Sequence, residues 1–139
     1  NWLLTAGSRL QATYADLAEY YKADADYEPG TVLEFGGEFD VTIAQDSTRR
    51  VAGVVSTNPA YLMNGGAGDP KEWLPVAMTG RVPVKVAGTV RKGDLLTTSS
   101  YPGYACKAFS PQLGTIIGKA LEDKTDPEKG IIEVAIGRM

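Results

Sequence analysis

The chain has 139 residues, 43% of them hydrophobic and 22% charged, so it is long and apolar enough to bury a core of its own. A net charge of −3, with the basic residues scattered singly or in pairs, disfavours a nucleic-acid footprint, and no apolar run of eighteen residues is present to insert in a membrane. With no histidine and a single cysteine, Cys106, the chain lacks the parts for Ser-His-Asp or Cys-His catalysis, for imidazole-based zinc sites and for an internal disulfide.

The opening stretch runs ATYADLAEYYKADADYEPG, from Ala12 to Gly30. Tyr14, Leu17, Ala18 and Tyr21 recur at i, i+3, i+4 and i+7, which predicts one short N-terminal helix. Thr13 can cap it, and Pro29-Gly30 lies in the turn beyond. Residues 1–12 read as an incoming arm, and a chain that begins at Asn1 without a signal peptide reads as a fragment or a processed product.

TVLEFGGEFDVTI follows as a hairpin. A two-residue Gly-Gly turn would set Phe35 against Glu38. The three-residue loop Gly36-Gly37-Glu38 instead sets Phe35 against Phe39, Leu33 against Val41 and Thr31 against Ile43. A one-residue slip exchanges the two faces, so the apolar pattern favours the three-residue loop with a glycine bulge. Beyond it, Gly and Pro punctuate short apolar runs: RVAGVVS, LPVAM, RVPVKVAG, DLLTTS, GYACKAF, GTIIGKAL and IIEVAIG. Pro83 implies an edge or bulge position in its strand.

The expectation is a mainly β fold: a single compact domain over residues 1–139, built of antiparallel hairpins as a barrel or sandwich, with the one short helix at its start. EPGTVL, a hairpin and RVAGVV are matched by RKGDLL, YPGYACKAF and GTIIGKA. Gly30 and Gly93, then Gly53 and Gly118, hold similar places. Read as a repeat, this gives two similar β units sharing one core; read as chance, it is the likeness of short apolar segments.

Chemistry has to run on carboxylates, Lys, Tyr, Ser, Thr or Asn. On a helix, Asp16 and Glu19 fall within about 60° of each other, opposite the apolar stripe. One reading is a solvated face. The other is a carboxylate pair in which one group serves as acid and the other as base. Asp24, Asp26 and Glu28 alternate as in a calcium loop, but the glycine and distal Glu of an EF-hand are missing, so no metal is expected. NGGAGDP, Asn64 to Pro70, fits neither phosphate-binding glycine spacing, so no cofactor is expected either. Cys106 reads as core, and EDKTDPEKG, Glu122 to Gly130, as a charged turn.

YADLAEYY, GVVSTNPAYLMN, GRVPVKV and the glycine-ended C-terminal strand resemble phage fibre and spike C-terminal domains. The likeness is above all to fibre proteins of T4-like viruses of marine cyanobacteria, and covers nearly the whole chain. More distantly, residues 15–64 resemble the self-cleaving intramolecular chaperone domain of phage pre-neck-appendage tail spikes, with its ADYAE-like and GIVS…P…N segments. The resemblance implies a mostly β homotrimer that aligns the upstream fibre segments of its three chains and belongs to the virion. It also implies cleavage just upstream by carboxylates of the ADYAE-like segment, which by position are Asp16 and Glu19. Leu17 stands where those relatives carry an aromatic, and the middle region differs in length, which favours the fibre role over retained cleavage. A third reading is a tip that binds host-surface glycans, with Trp2, Trp73 and the tyrosines as contacts.

Overall fold

The computed structural model describes residues 16–56, 61–63 and 73–138. Ten strands and no helix are present among them. In chain order these are β1 (Asp16–Lys22), β2 (Val32–Phe35), β3 (Val41–Ile43), β4 (Val51–Val55), β5 (Tyr61–Met63), β6 (Trp73–Val86), β7 (Leu95–Thr98), β8 (Ala105–Lys107), β9 (Gly118–Ala120) and β10 (Gly130–Gly137).

The long strand β6 organises everything else. Its second half pairs with β10, which pairs with β9, then β7, then β8, and β8 returns to β6 through Ala105 and Val86. That closes one small barrel. Its first half pairs with β4, which pairs with β2, then β3. Val41 of β3 bridges Ala23, just past β1, and β1 runs antiparallel to β6, closing a second barrel. Closure removes exposed edges, which explains why such short strands are stable here. β5 lies outside the ring as a parallel partner of β1.

The two barrels repeat one plan. Leu33 of β2 faces Ile43 on one side and Gly53 on the other; Leu96 of β7 faces Lys107 and Gly118 in the same way. Gly30 and Gly93 precede these strands with φ of 91° and 93°. A Cβ on Gly53 would lie 2.2 Å from the Ala77 carbonyl oxygen, and one on Gly118 would lie 2.1 Å from that of Ala135. The duplication suggested by the sequence is therefore present, with β6 shared between the units as the last strand of one and the first of the other.

Each barrel has a core. Ala23, Leu33, Val41, Ala52, Val55, Leu74 and Val76 fill the first, with Tyr21, Tyr27 and Phe35 packed against it. Val82, Val84, Val86, Leu96, Ile117, Val134 and Ile136 belong to a larger cluster in the second. Val32, Val51 and Val54 join that larger cluster from the other faces of β2 and β4. These two strands are thus buried on both faces, which is why VAGVV runs apolar without alternation. A bulge opposite Leu33 and Glu34 resets the alternation of β4, so that Val51 and Val54 share one side.

Three expectations need correction or refinement. The N-terminal helix is absent: the residues from Asp16 onward form strand β1. Four apolar positions fit a helical stripe, yet tyrosines are also good strand formers, and β1 is needed between β6 and β3 to close its barrel. Tyr14 and its Thr13 cap lie outside the described residues, as do the arm, Trp2 and the NGGAGDP segment. In the hairpin, Phe35 faces Val41, not Phe39, and Leu33 faces Ile43. The loop is longer because Gly36 N–H donates to Asp40 O while Asp40 N–H donates to Lys22 O. The shift is by an even number of residues, so the core faces survive, and Gly36 and Gly37 both have positive φ (152° and 76°). LPVAM and RVPVKVAG join into the single strand β6, in which Pro83 falls where, among the described residues, the side away from β10 has no strand partner, between β1 at Gly80 and β8 at Val86.

Candidate functional site

Asp16 opens β1 opposite Gly80 of β6, and Ile136 of β10 flanks the same glycine from the other side. The carboxyl is buried, only 5% exposed. Its Oδ2 has no hydrogen-bond partner among the described residues. Burial pushes the Asp16 carboxyl above its ordinary 3.8, and a hydrogen bond with the Ser56 side chain pulls the other way. A carboxyl in this setting holds its proton to higher pH than a surface one, so it can donate where most aspartates cannot.

Glu19 lies elsewhere. Strand alternation sends residues three apart to opposite faces, so β1 does not bring Asp16 and Glu19 together as a helix would have done. Glu19 is half-buried and accepts a hydrogen bond from Tyr21 Oη at 3.3 Å. Tyr21 in turn meets the Phe35 ring edge-on at 5.4 Å, and the Arg138 guanidinium sits over that ring.

The remaining candidates resolve into structural parts. Asp24 accepts from Tyr27 Oη at 2.6 Å and from Thr42 Oγ1 at 2.8 Å, tying the segment after β1 to β3. Glu28 pairs with Lys85. Cys106 is half-buried, and burial, reinforced by the Asp46 charge, raises its thiol pKa away from reactivity. Trp73 is half-buried at the start of β6.

Sequence reasoning missed two features. Glu34, in the apolar hairpin, is buried and pairs with Arg50 at 3.2 Å while accepting from Gln45 N–H at 2.8 Å. Lys124, in the charged turn, is only 8% exposed, and its ammonium donates to the carbonyl oxygens of Gly88, Asp126 and Glu128. One turn of charged residues thus hides a buried cation that ties the β9–β10 connection to the end of β6. Composition gives no signal for this, because five of its neighbours are charged and exposed.

The same arrangement of strands occurs in a bacteriophage protein. Over 87% of this chain and 99% of the other, the structure matches the C-terminal fragment of bacteriophage phi29 gene product 12, with a TM-score of 0.63 and 14% identity. It also matches pre-mature phi29 gene product 12, with a TM-score of 0.65 and 12% identity over 89% of this chain. This chain spans 21% of that longer protein. No family model and no curated protein matches the sequence. At these identities the likeness establishes a shared fold, while Asp16, Glu19 and their chemistry rest on this chain's own geometry.

Proposed function

We propose that this chain is the C-terminal assembly module of a phage virion fibre, a homotrimer that brings three fibre chains into register. The observation that carries this reading is the fold shared with the phi29 gene product 12 C-terminal fragment along nearly all of both chains. The sequence motifs point the same way, including the resemblance to fibres of T4-like cyanobacterial viruses. Registering three extended chains is entropically costly, and a compact end domain that associates first makes the later steps effectively intramolecular. Size-exclusion chromatography with light scattering tests it: a trimer at low micromolar concentration is expected, and a stable folded monomer there overturns it.

A second reading, in which the module cuts the chain upstream in cis, is favoured by one observation: the buried Asp16 carboxyl with an unpartnered oxygen. In this reading Asp16 donates its proton to the leaving amide nitrogen, and Glu19, on the opposite face of β1, reaches that bond only across a subunit boundary of the trimer, where it activates water. Holding the scissile bond in the same chain supplies the effective concentration that a weak catalyst needs. The opposite faces of β1 make the two variants informative separately. A longer chain carrying the upstream fibre segment should be cut, and cutting should stop in Asp16→Asn and in Glu19→Gln with the trimer retained. An uncut parent removes this reading and leaves the assembly role intact.

A further inference from the structure

The two barrels follow one strand plan, yet one position that is filled in the first is unfilled in the second among the described residues. In the first barrel, Ala44 N–H donates to Val32 O, but Val32 N–H does not return the bond. It donates instead to Gly103 O at 2.9 Å, and Gly103 N–H donates to Ala44 O at 3.0 Å. The turn between β7 and β8 is thus threaded into the gap between β2 and the end of β3. Only glycine suits the point of entry. Its φ is 80°, and a Cβ there would meet Thr31 Cγ2 at 2.9 Å and Ile43 Cδ1 at 3.0 Å.

The equivalent groups in the second barrel are Leu95 for Val32, Ala108 for Ala44, Asp94 for Thr31 and Lys107 for Ile43. Ala108 N–H donates to Leu95 O at 2.8 Å, as its counterpart does. No bond joins Leu95 N–H to Ala108 O, and no backbone turn is inserted between them among the described residues. A donor and an acceptor are therefore set out as in the filled slot. They lie beside an open cleft of about 960 Å³ whose lining includes Arg91, Asp94, Lys107 and Phe109. Phe109 is 86% exposed, and Lys107 approaches both its ring and Asp94.

The plan of the fold indicates the occupant. The turn that fills the first barrel's slot links the first two strands of the second barrel's meander. Its counterpart is the Gly36–Asp40 loop, which links β2 and β3. That loop has two glycines with positive φ, and its Gly37, Glu38 and Phe39 are exposed. Glu38 forms no ion pair among the described residues, and neither does Arg91 in the cleft. An acidic, glycine-bearing turn with an exposed aromatic thus faces a cleft of mixed charge in which Lys107 is paired with Asp94 and Asp123 accepts from Lys92 N–H, which leaves Arg91 to meet Glu38, with an exposed aromatic at the rim.

The geometry points to a head-to-tail contact in which the Gly36–Asp40 loop of one copy enters the Leu95–Ala108 slot of the next copy of this chain, Glu38 pairing with Arg91. Such a contact is heterologous: each copy donates one loop and accepts one, and the ring closes at a copy number set by the rotation between neighbours. Closure at three rests on the trimeric reading above.

The test uses the full chain. Glu38→Arg and Arg91→Glu, both at exposed positions, should each raise the concentration for half-assembly at least tenfold in light scattering, with circular dichroism unchanged. The double variant restores the pair and should return it to within a few-fold of the parent. Hydrogen exchange at the Leu95 amide should be slow in the assembled parent and fast in either single variant. A trimer indifferent to both single changes, or a double variant as weak as the singles, overturns the slot contact while the trimeric reading stands. A parent that is monomeric at every concentration overturns both.

Discussion

Asp16 is the residue whose chemistry departs furthest from its type. Burial disfavours its charged form, so its folded pKa lies above 3.8. A raised folded value means the folded state binds the proton more tightly than the unfolded chain. Its contribution to stability is therefore fully present below 3.8 and is lost as pH rises through the folded value. Asp16→Asn removes that loss. The variant should be more stable than the parent at pH 7, and the difference should shrink toward pH 3; chemical denaturation at the two pH values checks it. A variant less stable at pH 7 would mean that the ionised carboxylate has a partner that supports it. Lys124 presents the opposite case, a buried charge fully served by three carbonyl oxygens. Lys124→Met keeps the stem and strands those carbonyls, so it should cost about 2–4 kcal/mol, read as a lowered denaturation midpoint.

At the scale of the strand, the tightest constraints are the two equivalent glycines of β4 and β9. Gly53 combines a φ of 149° with backbone contact to β6, and Gly118 has the same close approach to β10. An added methyl cannot be relieved by a side-chain rotation, because the atom it meets is a carbonyl oxygen in a paired strand. Gly53→Ala and Gly118→Ala should each cost about 2–4 kcal/mol, from overpacking and, at Gly53, left-handed strain as well. Gly93→Ala is the internal contrast. It shares the positive φ but has nothing within 4 Å of the added carbon, so its cost should be limited to about 1–2 kcal/mol of backbone strain. Equal losses at Gly53 and Gly93 would show that packing against β6 is not what fixes the glycine.

Across the whole molecule the two barrels close alike but differ in the core each encloses. The second closes through the Val86–Ala105 pair, with the Ala87 amide bonded to Ala105 beside it, around the larger cluster. The first is closed at β3 by the single Ala23–Val41 bridge, with the Asp40 amide bonded to Lys22 beside it. Local opening follows the region with fewer buried contacts. Native-state hydrogen exchange should therefore find Val82, Val84, Leu96 and Val134 exchanging only through global unfolding. Val41 and Thr42 should exchange through a lower-energy opening, insensitive to denaturant. A single exchange class over both barrels would show instead that β6 couples them into one cooperative unit.

The sequence by itself determined the β class, the positions of most strands and the repeated glycines, because these follow from local rules. Short apolar runs punctuated by Gly and Pro have few other solutions, and Gly30, Gly53, Gly93 and Gly118 are required by backbone geometry that any repeat of the unit must satisfy. Tertiary structure alone decided the rest. Asp16 to Lys22 carries a stripe that suits a helix, and it is a strand because β6 and β5 offer it hydrogen bonds and a barrel wall. That one change parts Asp16 from Glu19, since their relation depends on a period of 3.6 or 2 that four apolar residues are too few to settle. Lys124 and Glu34 look like surface charges until long-range packing covers them, and the slot at Leu95, unfilled among the described residues, exists only by comparison with a filled one across the molecule. Local propensity fixes what a segment can be; which of its faces is buried, and against what, is set by residues far away in the chain.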